Sequence, residues 1–136
     1  MKKVILITIG LFIINAINAQ NKKEDFDKFF FKFSTDSIFQ IERIVFPLEY
    51  ITWKSEDLFA EESDTFWLKQ NEWEHDFFFM NNSYRPQLYD NFQGVLRDTE
   101  ERLFQWIGIE SGTNVKYFFK RIDGKWVLIK KENLGT

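Results

Sequence analysis

Four phenylalanines near the start of the chain repeat with the spacing of one helical face, and this repeat constrains the fold more than any other feature. Phe26, Phe29, Phe30 and Phe33 occupy positions i, i+3, i+4 and i+7, so their rings form one stripe along an α-helix. We therefore predict an amphipathic helix over residues 23–34. A stripe of large rings is stable only when a second layer of structure covers it.

A short helix and a strand are predicted next. Asp36 and Ser37 are both residue types that cap helix N-termini, and a helix over residues 37–43 is predicted to follow them. Pro47 restricts the residue before it to an extended conformation. The alternating pattern that comes after it predicts a strand over residues 48–53.

The middle of the chain has weaker patterns. Residues 54–64 are mainly acidic and polar, which is typical of a solvated excursion. Four further elements are predicted in order: a short strand or turn over residues 65–68, a helical turn over residues 69–76 with Trp73 buried, a buried strand over residues 77–80, and, after a turn, an extended segment at Leu88 and Tyr89.

The C-terminal third predicts a meander of three strands, over residues 101–109, 115–122 and 125–131. Asp123-Gly124 is a strong hairpin signal between the last two strands. Helices followed by a meandering sheet define the α+β class. We expect the helices to pack on the concave face of a curved antiparallel sheet, where the phenylalanine stripe is buried.

The first 19 residues have the pattern of a signal peptide. Lys2 and Lys3 precede an apolar run that is too short to span a bilayer, and cleavage is predicted between Ala19 and Gln20. Cleavage after Ala16 and an uncleaved anchor are the alternatives. Residues 20–136 are too few for two domains, so they are predicted to form a single α+β domain.

Charge and cysteine content narrow the compartment and the partners. The chain has 18 Lys and Arg residues against 21 Asp and Glu residues, and loss of the signal peptide removes two of the lysines. An acidic surface argues against nucleic acid or an anionic membrane as the main partner. There is no cysteine for a disulfide or for a lipid anchor. We expect an exported protein, periplasmic or secreted, with no stable membrane anchor after cleavage.

Both ends of the predicted domain resemble the family designated domain of unknown function 4348. The motifs are Phe26-x-x-Phe29-Phe30-x-x-Phe33-x-x-Asp36-x-x-Phe39-Gln40-x-x-Arg43-Ile44-x-Phe46-Pro47-Leu48 and Tyr117-Phe118-Phe119-Lys120-Arg121-Ile122-Asp123-Gly124-Lys125-Trp126-x-Leu128. The resemblance implies a cone-shaped fold similar to nuclear transport factor 2, in which a curved sheet wraps helices and often leaves a pocket at its mouth. That fold occurs in both enzymes and pure binding modules, so the fold alone does not determine a function. The family itself implies no established activity.

Two side chains are candidates for acid/base catalysis. His75, the single histidine, is followed by Asp76, which would orient the imidazole for proton transfer. A metal site would add Glu72 or Glu74, but no second histidine or any cysteine is present to complete it. A solvated surface histidine is the favoured interpretation. Asp36 is the other candidate base, with helix capping as the favoured alternative.

Binding and modification candidates are also present. Arg43 either lines the cone mouth or forms an ion pair or an aromatic stack. Ser37, in an Asp-Ser-apolar pattern, is a candidate for O-glycosylation. The ring side chains that could form a ligand platform, with core packing as the favoured alternative, are Tyr50, Trp53, Trp67, Tyr84 and Trp106.

Three functional hypotheses follow. The first, which we favour, is a non-catalytic binding or interaction module with a small aromatic-lined pocket for an unknown small molecule or envelope protein. The second is a small-molecule acid/base enzyme of isomerase or lyase type with the same fold. The third is a homodimer that covers its own sheet face through outward aromatic side chains on residues 101–131. No cofactor and no metal are predicted.

Overall fold

The computed structural model describes residues 23–54, 62–78, 83–93 and 99–135. The predicted signal peptide and its cleavage site at Ala19 and Gln20 lie outside these residues. The elements in chain order are helix α1 (Phe26–Thr35), helix α2 (Ser37–Glu42), strand β1 (Ile44–Trp53), strand β2 (Ser63–Leu68), a 3₁₀ turn (Gln70–Glu72), and strands β3 (Tyr84–Tyr89), β4 (Glu101–Gly108), β5 (Asn114–Ile122) and β6 (Lys125–Asn133).

The strands form one curved, unclosed sheet with the order β2-β1-β6-β5-β4-β3. The predicted meander β4-β5-β6 is confirmed, and so is the α+β class with N-terminal helices packed on a curved sheet. One pairing differs from the predicted antiparallel pattern, because β1 lies parallel to β6. This pair joins the first strand of the chain to the last in the middle of the sheet.

Helix α1 forms where a capping side chain directly precedes the apolar stripe. The Asp25 side chain accepts a hydrogen bond from the Lys28 backbone N–H at 3.0 Å, which satisfies one of the free donors of the first turn. The helix therefore begins at Phe26 and not at residue 23. Among the stripe residues, Phe26, Phe29 and Phe33 are buried and Phe30 is half-buried.

The stripe packs on one ring of strand β5. The Phe119 ring centroid lies 5.6 Å from those of Phe26 and Phe29, and all four stripe rings approach it edge-on. This geometry suits aromatic quadrupoles. Trp126 of β6 lies 5.0 Å from Phe26 in a similar arrangement. The core of the domain is this layer of rings between α1 and the concave face of the sheet.

A half-buried ion pair links the start of α1 to the last hairpin. The Glu24 carboxylate accepts two hydrogen bonds from the Arg43 guanidinium, both at 2.9 Å, and one from the Trp126 backbone N–H at 2.8 Å. The Trp126 indole N–H donates to the Glu24 carbonyl oxygen at 2.9 Å. These bonds fix the N-terminal end of the domain against strand β6.

The middle of the chain corrects several predictions. Residues 73–78 contain no strand, so the buried strand predicted over residues 77–80 is wrong in its described part: Phe77 is exposed, while Phe78 packs on Phe104. Strand β3 begins at Tyr84, earlier than the predicted extended segment. The helical turn predicted over residues 69–76 is the shorter 3₁₀ turn, and Trp73 after it is half-buried. Among the described residues, no helix is long and apolar enough to cross a membrane.

Replacing Phe33 with Ala tests the stripe. Because the side chain is fully buried (0% exposed), we expect the free energy of unfolding to fall by about 3–5 kcal/mol, measured by chemical denaturation. Phe31→Ala on the same helix is the matched control, since Phe31 is 71% exposed, and its effect should stay within about 0.5 kcal/mol. Equal effects of the two substitutions would contradict the packing described above.

Candidate binding site

A row of side chains crosses the concave face beside the region that α1 covers. Tyr50 of β1 lies opposite Lys131 of β6, and Lys131 lies opposite Tyr117 of β5. Residues directly opposite each other in neighbouring strands point to the same face of a sheet. Tyr117 belongs to the buried core, so all three side chains lie on the concave side.

Lys131 is held by a carboxylate and three rings. Its Nζ atom lies 2.7 Å from Asp76 Oδ2, and the ring centroids of Trp73, Tyr117 and Tyr50 are 5.1, 5.3 and 5.8 Å away. The Lys131 and Asp76 side chains are 15% and 24% exposed, which strengthens their attraction relative to a pair in water. We call these five residues the Lys131 cage.

Gln40 holds in place the segment of residues 73–76, which supplies Trp73 and Asp76 to the Lys131 cage. This side chain is completely buried in α2, and its Oε1 atom accepts hydrogen bonds from the Trp73 indole N–H at 3.0 Å and from the Asp76 backbone N–H at 2.9 Å. Its Nε2 atom donates to the carbonyl oxygens of Phe33 and Asp76. One amide thus links helix α1, helix α2 and residues 73–76.

The phenol of Tyr117 stays protonated beside Asp76. Burial raises the pKa of Tyr117 above its usual value, and the nearby Asp76 carboxylate raises this pKa further by charge repulsion and by a hydrogen bond with the phenol. The phenol therefore acts in the cage as a hydrogen-bond donor, not as a base. The Asp76 carboxylate consequently accepts hydrogen bonds from both the Lys131 ammonium and the Tyr117 hydroxyl.

The catalytic candidates occupy different environments. His75 precedes Asp76, but its ring is half-buried against Phe77, at 4.5 Å between centroids. Its Nδ1 atom is buried without a hydrogen-bond partner in the described structure. The ring is therefore only partly accessible to water, which is less exposure than the favoured interpretation as a solvated surface histidine implies. Asp36 caps α2, as expected, by accepting hydrogen bonds from the Ile38 and Phe39 backbone N–H groups.

Arg43 and Ser37 lie outside the cage. Arg43 ends α2, and besides its ion pair with Glu24 its guanidinium stacks 4.7 Å from the Phe39 ring. Both contacts predicted as the alternative to ligand binding are thus present. Ser37 is the exposed first residue of α2.

The predicted aromatic platform is divided between several places. Tyr50 lies in the cage. Trp106 is buried and contacts Tyr84 at 4.9 Å. Trp53 is half-buried, and its indole N–H has no partner among the described residues. Trp67 pairs with Glu49, so it points to the convex face, away from Tyr50.

Sequence reasoning missed Lys131 because the strand contains a bulge. Simple alternation from the inward Trp126 and Leu128 places residue 130 on the concave face. The register shifts after Leu128, however, so that Lys130 pairs with Phe118 and Lys131 with Tyr117. The bulge therefore turns Lys131 inward. The described residues contain no group of three or more histidine, aspartate or glutamate side chains placed to hold a metal ion.

A curved, unclosed sheet that wraps N-terminal helices defines a protein of the class similar to nuclear transport factor 2. Within this class, the chain belongs to the family described as domain of unknown function DUF4348, whose model matches residues 8–134. A search of curated proteins gives no significant match.

Three solved structures from Bacteroides have the same fold. An NTF2-like protein from Bacteroides fragilis is 25% identical with a TM-score of 0.61, and the match covers 85% of this chain and 49% of that one. This chain therefore spans about half the length of that protein. A cystatin-like protein from Bacteroides caccae (22% identical, TM-score 0.52) is matched over 82% of this chain and 77% of its own. A protein from Bacteroides uniformis (22% identical, TM-score 0.54) is matched over 81% and 76%.

Replacing Gln40 with Leu tests whether this amide holds the cage. The change keeps the volume but leaves the Trp73 and Asp76 N–H groups without their acceptor, so we expect the free energy of unfolding to fall by about 3 kcal/mol. Gln70→Leu, at an exposed position in the 3₁₀ turn, is the control and should change it by less than about 0.5 kcal/mol. Chemical denaturation measures both, and a Gln40→Leu protein as stable as the control would refute this role.

Proposed function

We propose that the protein is an exported, non-catalytic binding module whose site is the Lys131 cage. The observation that carries this proposal is a half-buried ion pair surrounded by three rings on the concave face. Ligand sites commonly combine apolar walls with a few fixed polar groups. The cage has this composition, and Gln40 keeps its polar groups in position.

The charges of the cage favour a particular ligand class. Lys131 is balanced by Asp76, so the site offers no net charge to an ion. The rings offer flat apolar contact, while the ammonium and the carboxylate offer one donor group and one acceptor group. We therefore favour a neutral or zwitterionic polar molecule with a flat apolar face, such as a sugar, a nucleoside or an amino acid.

Binding is better supported than catalysis. An acid/base enzyme needs a carboxylate or an imidazole that faces a bound substrate with its proton-accepting atom available. Asp36 uses its carboxylate as a helix cap, and the concave face beneath α1 is filled with phenylalanine rings. Asp76 is already engaged by Lys131, and the raised pKa of Tyr117 makes its phenol a poor proton donor for general acid catalysis.

A ligand screen tests the site. Thermal shift against sugars, nucleosides and amino acids should yield a stabilising compound, with its affinity measured by calorimetry. Tyr50→Leu, and the charge-balanced double variant Lys131→Met with Asp76→Asn, should each weaken binding by about tenfold or more. Tyr89→Leu on strand β3 is the control and should leave affinity unchanged. No binder in the series, or a binder indifferent to both cage variants, would contradict the proposal.

Export rests on the signal-peptide pattern of residues 1–19. Expression of the full chain in a Gram-negative host should place the protein outside the cytoplasm with Gln20 as its first residue, as read by N-terminal sequencing. A mature protein that begins at Ile17 would show that cleavage occurs after Ala16, and this result would still support export. Cytoplasmic protein that keeps Met1 would contradict it.

A further inference from the structure

The sheet has two edges, and one of them is closed to further strands. Strand β3 pairs with β4, and the Ser83 carbonyl oxygen accepts a hydrogen bond from the Ile109 N–H at 2.7 Å. Because bonding direction alternates along an antiparallel strand, residues 84, 86 and 88 direct their backbone groups to the free edge. Residue 86 is a proline, which has no N–H to offer there.

At the other edge, no described strand lies beyond β2. In strand β2 the Glu62 carbonyl oxygen accepts a hydrogen bond from the Lys54 N–H at 2.9 Å. By the same alternation, Ser63, Thr65 and Trp67 direct their N–H and C=O groups away from β1. The Thr65 N–H donates there to Oδ1 of the exposed Asp64 side chain at 2.8 Å. Strand β2 contains no proline or lysine, and of the residue types that commonly protect an edge it has one charged side chain, Asp64.

Exposed rings accompany this open edge. Phe66 and Trp67 are 46% and 61% exposed, and they point to opposite faces of the sheet. A dimer formed through the sheet face would need several exposed aromatic side chains on the outward face of residues 101–131. In the described strands of that range only Phe118 points outward, and it is buried beneath Phe92 and Lys130.

We propose that β2 pairs antiparallel with β2 of a second copy, about a twofold axis through Phe66. An axis perpendicular to the sheet keeps the concave faces of both copies on one side, so opposing residues must share a face. Phe66 then lies opposite Phe66 of the second copy, and Thr65 lies opposite its Trp67. The backbone groups of Thr65 and Trp67 point outward, so the two strands can exchange hydrogen bonds when the Thr65 N–H of each copy leaves the Asp64 carboxylate for the Trp67 carbonyl oxygen of the other.

Side-chain chemistry favours a second copy as the occupant. The Phe66 pair falls at a non-hydrogen-bonded position, where the strands are closest and aromatic pairs gain most. Thr65 against Trp67 is a β-branched–aromatic pair, which is also favourable. Asp64 lies opposite Leu68 and not opposite its own copy, so no like charges face each other. Tyr50 and Phe66, which are cross-strand neighbours, extend into one aromatic row across the axis.

Light scattering coupled to size-exclusion chromatography tests the pairing on protein purified from a host that expresses the full chain. We expect twice the monomer mass at about 0.5 mM, and half of that value for Thr65→Pro, which removes an outward N–H. Leu88→Pro makes the same change on the already blocked β3 edge and should remain dimeric.

Phe66→Glu places two carboxylates across the axis and should also give a monomer. It decides the question if circular dichroism shows that Thr65→Pro is misfolded. A monomer for the unaltered protein at this concentration, or a dimer that survives Phe66→Glu, would overturn the proposal. So would a loss of the dimer in Leu88→Pro with the fold intact.

Discussion

The edge-on packing of the α1 rings against Phe119 is the contact on which the rest of the structure depends. It joins the first helix to the middle of the sheet, and it does so in a chain that has no cysteine and hence no disulfide. Burial of apolar rings is the largest favourable contribution open to such a chain. The half-buried ion pair between Glu24 and Arg43 orients this packing, because its hydrogen bonds to Trp126 fix where the helix enters the domain.

The binding site depends on the same core through a single polar residue. Gln40 is fully buried, yet every polar atom of its amide is bonded, to Phe33 on one side and to Trp73 and Asp76 on the other. A buried amide satisfied in this way specifies one arrangement of its neighbours. The position of Asp76, and with it that of Lys131, is therefore set by the helices as much as by the sheet.

The elements that sequence reasoning found are those with a local cause. The spacing of Phe26, Phe29, Phe30 and Phe33 defines a helix without reference to the rest of the chain, and Asp123-Gly124 defines a hairpin in the same way. The parallel pairing of β1 with β6 joins segments far apart in sequence, and no local pattern encodes it. Sequence reasoning identifies Tyr50 and Asp76 of the cage as candidates, but it misses Lys131 for a related reason. A bulge reverses which face Lys131 occupies, so simple alternation along the strand points to residue 130 instead.

The central place of strand β6 governs the order in which the chain can fold. Residues 125–133 lie between β1 and β5, and they supply Trp126 and Leu128 to the core. Glu24 bonds to a residue 102 positions later. Contacts of such separation slow folding, and here they cannot form until the C-terminal strand has been synthesised. The stripe of α1 has no complete surface to pack on before that moment, so the tertiary structure of this domain forms only after β6 has been made.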